Sequence, residues 1–181
     1  TKFKNYNSYL ASLKIKNNIK KFEKKNINRI TQLINKTNQF NLTVKRLDLK
    51  EVTNITKSSN FIALSGNLKD KFGDNGLVTS LIGKIKGQSL NIILWIMSCR
   101  VFNRHLEYAL FDYLLNSCKK KGIKTIFGFF NKSDKNFIVK DFYKSLNFRK
   151  IKSNKNKDVW KYEIPKKYIK KNKIIANYNE K

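Results

Sequence analysis

The chain has 181 residues, 40% hydrophobic and 13% aromatic, which is enough apolar material for one packed domain and argues against a disordered chain. Its 40 Lys and Arg oppose 12 Asp and Glu, and the net charge of +28 raises the question of an anionic partner. Two cysteines (Cys99, Cys118) without a CxxC, one histidine (His105), no apolar leader and no apolar run longer than residues 92–97 exclude a disulfide framework, a zinc site, a Ser-His-Asp triad and a membrane-spanning helix, and lead us to expect a cytoplasmic protein.

Phe3, Tyr6, Tyr9, Leu10, Leu13, Ile15, Ile19 and Phe22 alternate with basic residues at the start, and Tyr6, Tyr9, Leu10 and Leu13 have helical spacing. Residues 15–19 read as a short strand or a loop. Ile27, Ile30, Leu33, Ile34 and Thr37 predict an amphipathic helix over 26–40 with Asn26 as its N-cap. Then come a strand at 43–48, a short helix at 49–55 and a strand at 61–65. The run Phe72-Gly73-Asp74-Asn75-Gly76 is a turn, followed by a strand at 77–85, a hairpin turn at 86–88 and an almost wholly apolar central strand at 90–97. A helix over 104–120 carries Leu106, Ala109, Leu110, Tyr113 and Leu114 on one face and stops at Gly122. A strand at 123–130, a helix at 137–146 and a last strand at 159–164 precede Pro165, after which the Lys/Asn-rich chain is expected to fray. The order β-α-β-β-β-α-β-α-β makes an α+β fold. We divide it into a helical extension or linker (1–42), the domain itself (43–164) and a basic tail (165–181).

Only five basic residues are arginine (Arg29, Arg46, Arg100, Arg104, Arg149), whereas Lys, Asn and Ile abound and Gly and Pro are scarce. Drift in base composition therefore accounts for much of the charge better than selection for nucleic acid does. Against that background a retained Arg or Gly is informative. The central strand ends at Met97-Ser98-Cys99-Arg100, and a short loop leads into the helix at Arg104-His105. A strand, a loop and a helix N-terminus offer unpaired N–H groups and a positive dipole end to an anion, and two arginines add donors suited to phosphate.

Here the sequence resembles the GNAT (Gcn5-related N-acetyltransferase) fold. That family binds the pyrophosphate of coenzyme A at (Arg/Gln)-x-x-Gly-x-(Gly/Ala), and this chain has Arg100-Val101-Phe102-Asn103-Arg104-His105. A later GNAT helix ends Phe/Leu-Tyr-x-x-x-Gly-Phe, and here the run is Phe142-Tyr143-Lys144-Ser145-Leu146-Asn147-Phe148. Glycine is replaced at each of these positions, twice by Asn, the side chain most tolerant of left-handed backbone. The resemblance implies a mixed, mostly antiparallel sheet that splays beside the central strand, with coenzyme A at residues 100–105 and Tyr143 as the acid for a leaving thiolate.

Three runs carry a closer resemblance to the C-terminal region of FkbH-like proteins: residues 29–43, containing Asn35-Lys36-Thr37-Asn38-Gln39-Phe40-Asn41, residues 68–78, and residues 95–101, containing Met97-Ser98-Cys99-Arg100. Such proteins join a HAD-type phosphatase-like domain to a GNAT-like domain and load an acyl unit onto an acyl carrier protein for polyketide extender units. The resemblance implies an acyltransferase acting on a thioester of coenzyme A or of carrier-protein phosphopantetheine, without metal. Its partners would be an acyl carrier protein and an upstream HAD domain, of whose Asp-x-Asp motif this chain has no copy. Cys99, beside Arg100 and a helix N-terminus, is the candidate nucleophile, and Cys118 is read as packing. His105 reads as a polar helix-start residue, Asn38 and Gln39 as ties between helix and sheet. Two readings compete: a non-catalytic module that binds the carrier protein, and nucleic-acid binding, for which Tyr162, Tyr168 and Tyr178 among the tail's basic residues are weak support.

Overall fold

In a computed structural model, residues 5–177 are described; Phe3 and Tyr178 lie outside them. Nine strands form one mixed sheet among the described residues: β1 (Lys16–Lys21), β2 (Phe40–Asn41), β3 (Phe61–Asp70), β4 (Gly73–Lys86), β5 (Ser89–Met97), β6 (Thr125–Asn131), β7 (Arg149–Ser153), β8 (Lys157–Glu163) and β9 (Ala176–Asn177). The order across the sheet is β7-β8-β6-β5-β4-β3-β1-β9, and β2 pairs with β5. All pairs are antiparallel except β5 with β6 and β1 with β9. The α+β fold with a mostly antiparallel sheet is therefore the one expected.

Helices cover both faces. On one side α2 (Ile27–Lys36) and α3 (Leu49–Lys57) pack Ile30, Ile34 and Val52 against Ile82, Leu94 and Ile96. On the other, α4 (Leu106–Lys120) and the single turn α5 (Phe142–Ser145) pack with Leu110, Phe111 and Tyr143 on the face that carries Ile92, Trp95 and Met97. Asp48 starts α3 with a reciprocal capping box, its carboxylate accepting from Glu51 N at 2.8 Å while the Glu51 carboxylate accepts from Asp48 N at 2.8 Å. Asn26 stands at the N-cap of α2, but its side chain makes no cap bond there.

Several elements differ from the sequence expectation. Residues 43–48 make no strand: Thr43 donates its hydroxyl to Ile93 O (2.8 Å) and Val44 turns into left-handed backbone (φ 56°), so the extended piece is the two residues of β2 just before. The chain before residue 43 is no separate extension, because β1 pairs with β3 over six residues and the stretch from α1 (Tyr6–Ser12) to α2 buries Leu10, Leu13, Ile15 and Ile30 completely or nearly so. The tail does not fray within the described residues. Asp112 on α4 accepts from the Tyr168 hydroxyl at 2.5 Å and from the backbone N–H of Lys171 and Asn172, each at 3.0 Å, and β9 closes on β1. The helix expected over 137–146 is broken into a 3-10 turn (Phe137–Val139) and α5. β7 escaped notice because all its residues are exposed and four of the five are polar or charged, so no apolar alternation marks it. Tyr113, assigned to the buried face of α4, is 38% exposed; Phe111 and Leu115 are buried instead.

Candidate functional site

The parallel pair β5–β6 holds for only four residue pairs, Ser89↔Thr125 to Ile92↔Gly128. A β-bulge follows at Ile93, where the register with β4 jumps from Gly83↔Ile92 to Ile82↔Leu94. Beyond it β5 bends away from β6, and the sheet splays as expected beside the central strand. The opening is not empty. Residues 40–43 cross it and bond to both sides: Phe40 pairs Met97 and Asn41 pairs Ile96, Leu42 N donates to Trp95 O (3.1 Å), and Asn131 N donates to Leu42 O (2.8 Å). Asn136 is wholly buried beneath this crossing and donates from Nδ2 to Asn41 O and Asn131 O, both 2.9 Å.

The chain leaves β5 at Ser98 through a 3-10 turn (Cys99–Val101), which removes Cys99 from the strand alternation and exposes it. Two concavities meet at Phe40 and Met97, which line both. The first is a cleft of about 460 Å³ between α2 and the end of β5, lined by Arg29, Gln32, Lys36, Asn38, Gln39, Ser98, Cys99 and Arg100 among others, with no acidic residue. Two of the three sequence runs singled out above thus come together at Cys99. Arg46 supports this wall from beneath: its guanidinium caps the C-terminus of α2 by donating to Ile34 O (2.7 Å) and Thr37 O (2.8 Å), and it also bonds Asn38 Oδ1. Three of the chain's five arginines therefore serve this cleft. Asn38 thus bonds Arg46 in the loop after β2, not the sheet.

The second is a groove of about 310 Å³ between the N-terminus of α4 and α5. Phe102, Ile138, Val139 and Phe142 make it apolar; Glu107, Asp141, Asn103 and Ser145 are its polar groups, and no Lys, Arg or His lines it. Burial pushes the Glu107 carboxyl above the usual carboxylate range, although a bond from its own backbone N–H pulls the other way. Glu107 was not among the sequence candidates; the available signal was an acid in the first turn of the helix at the predicted anion site, in a chain with only 12 acids.

The loop 100–105 has the left-handed geometry that the glycine pattern demands, at Asn103 (φ 60°) and His105 (φ 62°), and Asn147 adopts it too (φ 67°). Its side chains do not assemble as an anion cradle. Arg100 is exposed beside Ser98 (Nε to Oγ 3.4 Å) on the cleft side. Val101 is buried in the core, and Phe102 packs edge-on to Phe40, ring centroids 5.8 Å apart. The Asn103 carbonyl accepts from the Tyr6 hydroxyl. Arg104 is ion-paired to Asp70, whose carboxylate is nearly buried and also accepts from Phe72 N at 2.8 Å. His105, its pKa lowered by desolvation, lies against Tyr6 and Tyr108. The loop's one inward arginine is tied up, two carboxyls stand in the adjoining groove, and the side chains of this element present no free cation on the groove side.

Tyr143 points into the core, not to the groove. It is 1% exposed, its ring lies on Gly128, where a Cβ would come within 2.4 Å of it, and burial pushes its hydroxyl far above the ordinary phenol value. Its neighbour Phe142 faces the groove instead, 4.8 Å from both Phe40 and Trp95 between ring centroids. Cys118 is fully buried and its thiol is pushed up to about 12 by desolvation, so packing is its role. A larger cavity, about 700 Å³, lies elsewhere, lined by Lys21, Lys57, Lys120 and Lys121 around Phe61 and Tyr113. Lys57 and Lys120 close the C-terminal ends of α3 and α4, where a cation balances the carbonyl dipoles. Among the described residues no helix is long and apolar enough to cross a membrane, and no group of His, Cys, Asp and Glu could hold a metal ion.

No protein-family model and no curated protein matches the chain. Solved structures do. The PaiA N-acetyltransferase of Thermoplasma acidophilum, in complex with coenzyme A, superposes with a TM-score of 0.67 over 81% of this chain and 98% of that one at 13% identity. The ribosomal-protein-S18-alanine N-acetyltransferase of Escherichia coli gives 0.62 over 82% and 94% at 13% identity. A probable acetyltransferase of Staphylococcus epidermidis gives 0.64 over 82% and 99%, also at 13% identity. The chain has the GNAT fold.

Proposed function

We propose that the chain is an acyltransferase-type domain that acts on an acyl thioester carried by the pantetheine arm of an acyl carrier protein, as the FkbH-like runs imply, with Cys99 as the acyl acceptor. The observation that carries this reading is the exposure of Cys99 in a cleft built by two of those runs, walled by Arg29, Lys36 and Arg100 and free of acids. In the proposed step the Cys99 sulfur, as thiolate, attacks the thioester carbonyl. The carbon–sulfur bond to pantetheine breaks, and the departing thiolate takes up the proton that the Cys99 thiol lost. Tyr143, buried in the core, has no part in it. The net charge of +28 suits an acidic carrier protein and the encounter rate with it. The crossing of the splay by residues 40–43 favours a second reading, in which the domain only holds the carrier. Intact-mass measurement after incubation with an acyl-pantetheine separates the two. An acyl adduct on the wild type that is missing in Cys99→Ser supports transfer. Binding of the arm without any adduct sinks it and leaves the holding module.

A further inference from the structure

Acids and bases are segregated around Phe40 and Met97. In a chain with 40 cationic and 12 acidic side chains, the groove beside α4 is lined by two carboxyls and no cation, while the cleft on the other side has three cations and no carboxyl. The groove begins at the N-terminus of α4, where a helix attracts anions. Here that position is already taken by the chain's own carboxylate: Glu107 stands in the first turn. The other groups that face Glu107 are the phenols of Tyr6 and Tyr108. Arg104, close by, is held by Asp70, and no ion pair to Glu107 or Asp141 occurs among the described residues. An acid in a first turn is good for a helix in any protein, but that does not account for the missing cations in a chain this basic, nor for an apolar groove beside the acid. A phosphate entering here would meet the half-buried Glu107 carboxyl, which has no ion-pair partner among the described residues, while Asp141 stands exposed at the groove's edge, sharing the adjoining pocket with Lys132, Lys140 and Lys150.

We infer that Glu107, assisted by Asp141, determines donor specificity: the two carboxyls exclude a nucleotide-bearing thiol such as free coenzyme A from the groove and reserve it for the neutral amide chain of a carrier-borne pantetheine. The inference rests on the thioester reading above and adds to it the residues that choose between two sources of the same thiol. Neither residue touches Cys99's cleft, so neither belongs to the acyl-accepting machinery proposed there.

The test is calorimetric titration of the full chain with D-pantetheine, which has no phosphate, and with coenzyme A, in wild type, Glu107→Gln, Asp141→Asn and the double variant. Far-ultraviolet circular dichroism checks that each is folded, and Asp141→Asn, a change at an exposed site, keeps the comparison available if Glu107→Gln proves unstable. Wild type should bind pantetheine at least tenfold more tightly than coenzyme A. The double variant should gain at least tenfold for coenzyme A with pantetheine unchanged, and each single variant should gain part of that. If wild type binds both ligands equally, or if the folded variants gain nothing for coenzyme A, the specificity inference is overturned and the thioester reading stands. If wild type binds neither, the thioester reading itself falls.

Discussion

Replacing Asn136 by alanine tests whether residues 40–43 hold the splay closed. The side chain makes three bonds of 2.9 Å: Nδ2 to Asn41 O and to Asn131 O, and Oδ1 from Ser133 N. Asn136 is wholly buried, so water cannot easily replace them. A typical intramolecular hydrogen bond contributes about 1 kcal/mol net, and each buried partner left alone costs about 1–3 kcal/mol more. Some relaxation of the loop at Ser133 will recover part of this, and a loss of about 3–4 kcal/mol is the working figure. For a domain of this size each kcal/mol moves Tm by about 2–4 °C, so Asn136→Ala should melt about 10 °C below wild type. Hydrogen exchange followed residue by residue supplies the local half of the argument. The Leu42 and Asn131 amides, which bond to Trp95 O and Leu42 O, should lose protection first, while Leu94 and Ile126 in the paired sheet should keep theirs. A Tm drop under about 3 °C with unchanged protection at both amides would refute the reasoning.

Three further outcomes are expected. Iodoacetamide at neutral pH should modify Cys99 and leave Cys118 untouched until unfolding, read by peptide mass spectrometry; equal slow labelling of both would contradict the exposure assigned to Cys99. Gly128→Ala should destabilise by about 1–3 kcal/mol through overpacking, because a Cβ there would meet the Tyr143 ring at 2.4 Å; adding Tyr143→Leu should return part of that loss, and strict additivity in a denaturant double-mutant cycle would argue against the contact. Burial raises the Asp158 carboxyl, but the Ser153 hydroxyl and the ammonium groups of Lys150 and Lys132 outweigh it and hold the pKa below its ordinary value. Its contribution to stability is therefore full above the unfolded-state pKa of about 3.9 and is lost as pH falls through the lower folded value, so Asp158→Asn should flatten the acid limb of a Tm-against-pH curve.

The parts of this fold that sequence shows are those where one pattern has one cause. The run from Leu90 to Met97 is apolar because β5 is covered on both faces, and Asn103 and Asn147 stand at left-handed positions where asparagine was read as a substitute for glycine. The parts it hides depend on partners distant in the chain. Thr43-Val44-Lys45-Arg46 has strand composition, yet the bulge carbonyl of Ile93 takes the Thr43 hydroxyl and the carbonyls ending α2 take Arg46. The tail looks like solvated lysine until Asp112, fifty-six residues before Tyr168, gathers three donors from it. At the site, Phe142 and Tyr143 are neighbours on one helical turn, and nothing local decides which ring meets the groove and which meets Gly128. Cys99 was legible as a strand-end residue, but the direction of its side chain had to await the bulge and the 3-10 turn.

The short reach of the β5–β6 pairing has a mechanical meaning. Two leaves, β9-β1-β3-β4-β5 and β6-β8-β7, share one seam of four residue pairs, and among the described residues the backbone stitch between them at the far end is Leu42, whose N–H serves one leaf and whose carbonyl serves the other. A seam fastened at one end and stitched at the other opens like a book once the stitch is cut. In exchange or pulling experiments the β6–β8 leaf should come away as one cooperative unit, with its three strands still paired, before the larger leaf yields.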